Sequence, residues 1–208
     1  MFTGIVEEVG KVKTITRKGP DARLKILCGQ ADQGLAIGDS VAVNGACLTV
    51  TGLNGTVAFD IVGNTLAKTN LKRLKAGDAV NLENAMKLGD KISGHMVAGH
   101  IDGERTVRNN MNTSKGWVMD IAAVSGDEKY LVSKGTVAVD GVSLTVGETY
   151  NDFFRIYLIP LTMEQTTLKS KKTGDHVNIE FDMMAKYAAK RGEGDITEET
   201  LRRTGFMD

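Results

Sequence analysis

Cys47 and Ser143 are the side chains of this sequence best placed to act as nucleophiles, because they occupy one position of a repeated phrase. Residues 41–50 read VAVNGACLTV and residues 137–146 read VAVDGVSLTV, a match at seven of ten positions. A thiol and a hydroxyl thus stand opposite one another, each just after a tight turn and just before Leu-Thr-Val. Other reactive groups lack a counterpart. His100 falls opposite Ile5 and Asp182 opposite Ala85, while His95 aligns ahead of the start of the first copy. The unmatched groups therefore lie mostly in the second half. A duplicated site binds two copies of one ligand, and unlike reactive groups let the two copies do different jobs.

Taken singly, each residue has a plainer reading. A lone Cys such as Cys47 behaves as a small buried hydrophobe, and a Ser after a turn, such as Ser143, bonds to its own turn. His95 and His100 are five apart and would lie on opposite faces of a regular strand, a poor arrangement for a shared metal. His176 sits in a GDHV turn and reads as a solvated surface residue. Cys28 ends a strand-like run and reads as core. With three His, no HExxH and no CxxC, no metal site is expected. There is no glycine-rich phosphate loop and no Ser-His-Asp order.

The elements that position these groups follow from the extent of the repeat. Residues 65–83 (TLAKTNLKRLKAGDAVNLE) align with 162–180 (TMEQTTLKSKKTGDHVNIE), and residues 4–7 with 99–102, at an offset of 95–97 throughout. The 208 residues therefore divide into units at 1–88 and 89–181 with a segment 182–208 after them. Both units are rich in short alternating runs of Val, Ile and Thr, punctuated by Asn44-Gly45, Asn54-Gly55, Asp140-Gly141 and Asn151-Asp152. The expected fold is all-β: a tandem pair of similar small antiparallel Greek-key barrels with one short helix each, at 65–74 and 162–170. From Asp182 the alternation is lost. Residues 182–191 carry Met183, Met184 and Tyr187 at helical spacing, and 197–203 would add a last turn after Gly192 and Gly194. An apolar stripe outside two complete barrels needs a partner, and self-association supplies one.

Composition narrows the function classes. The net charge is zero with no basic block, which argues against nucleic acid. No apolar run approaches the ~20 residues that span a bilayer, and no room is left for a signal peptide, so the cytoplasm is the expected compartment. Two Cys, badly spaced for a disulfide framework, suit a reducing environment.

In combination the motifs are far more specific than their parts. MFTGIVEEVG, NGACLTVT, GHMVAGHIDG, LVSKGTVAVDGVSLTVGE and TTLKSKKTGDHVNIEFDMMAKYAAK follow one another in this order from Met1 to about Lys190. The chain resembles the riboflavin synthase family of the α-chain type. The resemblance implies transfer of a four-carbon unit between two molecules of 6,7-dimethyl-8-ribityllumazine, giving riboflavin and 5-amino-6-(D-ribitylamino)uracil without cofactor or metal. It implies a homotrimer held by C-terminal helices, with each active site between the first barrel of one chain and the second barrel of its neighbour.

It also implies roles. Ser143 and His100 would abstract and relay a proton, Cys47 would lie beside the other lumazine, Asp182 would orient or polarise this group, and His95 would stand behind it. Which residue or water adds to the ring stays open. Phe2 would pack where barrels meet. The second-barrel ligand would touch Gly4, Ile5 and Val6, then Lys134, Leu144 and Thr145, then Ile159, Pro160, Leu161, Thr162, Met163 and Glu164. The first-barrel ligand would touch Leu48 and Thr49, then Asp60, Ile61, Val62, Gly63, Asn64 and Thr65, with Gly99 and Ile101. The sequence departs from the family at Asn64 and Leu161, where Glu commonly precedes the Thr of each short helix, and at Ala67, commonly basic; Lys68 is a neighbouring substitute. The rival reading is a lumazine- or flavin-binding protein of the same fold that needs no reactive groups. A flavin reductase would require a nicotinamide domain beside the barrel.

Overall fold

A computed structural model describes residues 1–192 except Gln30, Gln33 and Lys115, together with Arg202. The expectations placed on Gly194 and on 197–203 lie outside the described residues. The first half forms β1 (Glu8–Lys18), β2 (Asp21–Leu27), β3 (Ser40–Val43), β4 (Ala46–Leu53), β5 (Val57–Ile61) and β6 (Ala79–Asn84), with helix α1 (Gly63–Lys68) between the last two. The second half repeats this as β7 (Gly103–Thr113), β8 (Gly116–Ala122), β9 (Thr136–Val139), β10 (Val142–Thr149), β11 (Phe153–Leu158), α2 (Pro160–Gln165) and β12 (His176–Phe181). Each set closes into a six-stranded antiparallel barrel in the order β1-β2-β5-β4-β3-β6, with β7-β8-β11-β10-β9-β12 the same path one repeat on. Because β6 returns to lie beside β3 of the β3-β4-β5 meander, the order is a Greek key.

Alternation drives closure. In β2 the residues Ala22, Leu24 and Ile26 point inward while Asp21, Arg23, Lys25 and Leu27 point out. Leu24, Ile26, Phe59 and Leu82 fill the first barrel; Met119, Ile121, Phe154 and Ile156 fill the second, all at most 2% exposed. Each such side chain contributes about 1.5–3 kcal/mol as an upper estimate. The register slips at Val12/Thr14 and Val50/Gly52, and again at Val107/Asn109 and Val146/Thr149. These bulges recur at matching places because a sheet this narrow closes only where strands bend sharply.

The helical segments are shorter than the pattern predicts. Each breaks at a threonine in extended conformation, Thr69 or Thr166, and resumes as a 3-10 turn at Asn70–Arg73 or Thr167–Ser170. The threonine hydroxyl reaches back to the carbonyl four residues earlier, Thr65 or Thr162, at 2.7 Å in both halves. His176, expected at the surface, is instead the first residue of β12 and half-buried, its ring 4.0 Å from Glu104. Helix α3 (Met183–Gly192) follows β12 and is started by Asp182, whose carboxylate accepts from the Met184 N–H at 2.8 Å. Met184 and Tyr187 are 76% and 64% exposed, so their stripe does not fold back onto its own barrel.

Candidate functional site

The two reactive positions are set by two turns packed back to back. Asn44-Gly45 and Asp140-Gly141 both adopt positive φ at both residues, 45° and 80° in each case, the geometry of a type I′ hairpin. The turns touch: a Cβ on Gly45 would fall 2.7 Å from the Gly141 nitrogen, so no other residue fits. Asn44, Asn81, Asp140 and Asn178 interlock around this contact. Asn81 donates to the Asp140 carbonyl at 2.9 Å, Asn178 to the Asn44 carbonyl at 2.8 Å, and Asn70 to the Asp140 carboxylate at 2.8 Å. Asp140 is fully buried, and Lys171 meets its second oxygen at 2.8 Å as an ion pair. The three amide bonds cross the barrel boundary, which fixes one relative placement of the barrels, while the Lys171–Asp140 pair neutralises the buried acid within the second barrel.

Just beyond the turns, Cys47 on β4 and Ser143 on β10 are half-buried and point outward from their cores. Neither is braced by its own barrel alone. The Ser143 N–H donates to the Gly4 carbonyl at 2.7 Å, and the Cys47 N–H to the Gly99 carbonyl at 3.0 Å. Gly4 thus braces the second barrel and Gly99 the first. Val6 packs against the second core and Ile101 against the first. Phe2, 0% exposed, is held between barrels by Ala42, Val97 and Ala138, and its backbone pairs with Val97.

A third group joins Ser143. His95 Nδ1 lies 2.7 Å from Ser143 Oγ. Burial pushes the His95 imidazole below its ordinary value of 6.5, against a smaller upward pull from Asp182, so the ring is neutral at neutral pH. Its Nε2 is buried with no partner among the described residues. Asp182 accepts a hydrogen bond from the Thr136 hydroxyl. A neutral imidazole on a serine hydroxyl, with a carboxylate near enough to be felt, is a general-base arrangement. His100 is exposed, next to the Gly99 that braces Cys47. His95, expected behind the site, thus touches Ser143, while His100 adjoins the Gly99 that braces Cys47. Their spacing on a strand does not apply, since neither is in one.

The family described as "Lumazine binding domain" matches residues 3–85 and again residues 98–182. The chain is 45% identical to riboflavin synthase of Escherichia coli K12, covering 88% of this chain and 87% of that protein. It is 37% identical to riboflavin synthase of Actinobacillus pleuropneumoniae over 99% and 100% of the two chains. The chain belongs to the riboflavin synthase family. Among solved structures, LumP complexed with 6,7-dimethyl-8-(1'-D-ribityl) lumazine is similar at a TM-score of 0.79 and 28% identity, covering 86% of this chain and 98% of that one. LumP complexed with riboflavin gives 0.81 and 27%, covering 87% and 99%.

The other positions singled out by the resemblance to the riboflavin synthase family separate into two kinds. Thr49 and Thr145 stand exposed on the outer faces of β4 and β10. Asp60 and Val62 line a groove of about 690 Å³ with Thr16, Arg23 and Lys25, and Arg23 pairs with Asp60 at 3.7 Å. Gly63, Asn64 and Thr65 follow as the first residues of α1, and the Gly63 N–H donates to Asp21 at 2.8 Å. In the second barrel Ile159 and Leu161 are exposed either side of Pro160, with Thr162 half-buried and Glu164 exposed beyond. Lys134 is exposed with φ of 67°, its N–H bonded to the Val146 carbonyl at 2.8 Å. Ile5, 45% exposed, extends the same surface. Leu48, Ile61, Leu144 and Met163 are different: their side chains are core, at 5%, 1%, 8% and 2% exposure. Only their backbones face outward, a consequence of strand alternation at Leu48 and Leu144 and of the inward helix face at Met163.

Sequence reasoning missed Glu83 and Glu180. Both are buried, and each accepts hydrogen bonds from two consecutive N–H groups, of Thr3 and Gly4 or of Ala98 and Gly99. The signal was present: VNLE and VNIE recur at 80–83 and 177–180.

Proposed function

We propose that one molecule of 6,7-dimethyl-8-ribityllumazine is held beside Cys47 and another beside Ser143, and that a four-carbon unit passes from one to the other, giving riboflavin and 5-amino-6-(D-ribitylamino)uracil. Membership of the riboflavin synthase family supports the reaction, and the His95–Ser143 contact at 2.7 Å carries the division of labour. A methyl on the lumazine is acidic because its carbanion delocalises into the heterocycle, so a modest base suffices. Neutral His95 takes that proton through the Ser143 hydroxyl. Asp182 stabilises the imidazolium that forms and, by starting α3, is itself held in place. Cys47 and His100 attend the second lumazine, whose ring accepts the carbanion after addition of a nucleophile. Stacking the two rings supplies acceleration through proximity.

In one chain Cys47 and Ser143 belong to different barrels, and Met184 and Tyr187 stand exposed on α3. A homotrimer in which segment 182–208 associates, and units 1–88 and 89–181 of neighbouring chains face each other, satisfies both observations. No helix among the described residues is long and apolar enough to cross a membrane; cytoplasmic residence is part of the proposal. Single-turnover assays of Ser143→Ala and His95→Gln test the assignment. Both should bind lumazine and release little riboflavin, and normal turnover by either would refute the base.

A further inference from the structure

We infer that Glu83 and Glu180 are positioning residues that act in crossed fashion, each carboxylate of one barrel holding the reactive residue of the other barrel in place. Glu83 lies on β6 of the first barrel. Its Oε1 accepts from the Thr3 N–H at 2.6 Å and the Thr3 hydroxyl at 2.8 Å, and its Oε2 from the Gly4 N–H at 3.0 Å. The carbonyls of those same residues then serve the second barrel's site. The Thr3 carbonyl accepts from the His95 N–H at 3.1 Å and the Gly4 carbonyl from the Ser143 N–H at 2.7 Å. Glu180, on β12 of the second barrel, accepts from Ala98 at 2.7 Å and Gly99 at 2.9 Å, and the Gly99 carbonyl holds the Cys47 N–H of the first.

Three features make these clamps specific rather than incidental. Both carboxylates are 4% exposed, where a charge persists only if several donors meet it, and both are held above the usual carboxylate range by that burial. The braced residues approach too closely to tolerate drift: a Cβ on Gly4 would lie 2.6 Å from Ser143 Cβ, and one on Gly99 2.4 Å from Cys47 Cβ. Gln is no substitute, because its NH₂ would face an N–H that needs an acceptor. The clamps also differ, since Thr3 supplies a hydroxyl where Ala98 has none.

The crossed geometry stands on the contacts; its consequence for turnover rests on the proposed reaction, so the decisive readouts need no turnover. Full-length Glu83→Gln and Glu180→Gln are made in a Cys28→Ala background, leaving Cys47 as the one thiol. The rate of Cys47 with a disulfide reagent reports the first site, and ¹⁵N NMR titration of the His95 ring, identified by its loss in His95→Gln, reports the second. Glu180→Gln should change the thiol rate at least about threefold and leave the His95 titration unmoved. Glu83→Gln should move His95 and leave the thiol rate alone. Thr3→Val, which deletes one donor of three, should reproduce the Glu83 result in smaller measure and decides the matter if a Gln variant does not fold. A same-barrel effect, or no effect of Thr3→Val together with a folded but silent Glu83→Gln, would overturn the inference. Where lumazine turnover is measurable, kcat should fall about tenfold with little change in KM. Absence of turnover in the parent chain would count against the reaction and not against the clamps.

Discussion

The two barrels share a strand order, bulge positions and a turn geometry, yet differ in the four or five side chains that matter for chemistry. Cys47 opposes Ser143, and Ala85 opposes Asp182. The Asn44 amide opposes the Asp140 carboxylate, and Leu74 opposes the Lys171 that neutralises it. The shared framework suits two identical ligands, and on the proposed mechanism the substitutions make the second barrel the proton-abstracting half. Divergence has also been contained in pairs: the second barrel gained a buried acid and the base that meets it, so the boundary still has its charge compensated.

Removing the base should have the largest effect. Ser143→Ala and His95→Gln are expected to lower kcat by about 10²-fold or more. Cys47→Ser, which makes the first half resemble the second, should cost on the order of 10-fold, measured by riboflavin absorbance. Equal losses at Cys47 and Ser143 would mean that the halves are not specialised. The boundary pair gives the next effect. Lys171→Leu leaves Asp140 buried and unpaired and should cost about 3–5 kcal/mol in denaturant unfolding. Adding Asp140→Asn recreates the first barrel's combination, Asn44 with Leu74, and should recover most of that loss.

A smaller effect concerns pH. His95 must be neutral to accept a proton, and burial holds its value below 6.5, so kcat/KM should stay flat through pH 6.5 and fall only at lower pH. Asp182→Asn removes the opposing pull and should move that limb lower still. The smallest effect on the barrels themselves is expected from Met184→Glu with Tyr187→Glu. Sedimentation should show loss of the proposed trimer and turnover should collapse, while each barrel's melting changes little, because both side chains are already exposed.

Much of this was legible in the sequence because duplication doubles every signal. The I′ turns, the paired Leu-Thr-Val strands and the offset of the halves all follow from residues that repeat. What escaped was the crossing of segments. Nothing in the pattern of residues 4–6 or 99–101 says that each reaches the other half's barrel, since long-range contacts leave no periodicity. The two histidines sit in a segment outside any strand, whose conformation is set by Phe2, Glu83 and Glu180, so strand spacing does not describe them. At Leu48 strand alternation, and at Met163 the inward face of a short helix, turns the side chain into the core, a distinction that family motifs do not carry. Thr69 and Thr166 ended the short helices by bonding back to a carbonyl, a local competition that propensity does not capture.

The most direct test incubates the purified chain with 6,7-dimethyl-8-ribityllumazine, chelator present and no cofactor added, while both products are quantified. Specialised halves acting on two identical ligands predict one riboflavin and one 5-amino-6-(D-ribitylamino)uracil for every two lumazines consumed. Tight binding with the lumazine left unchanged would contradict that reading and place the chain with proteins that only hold the ligand.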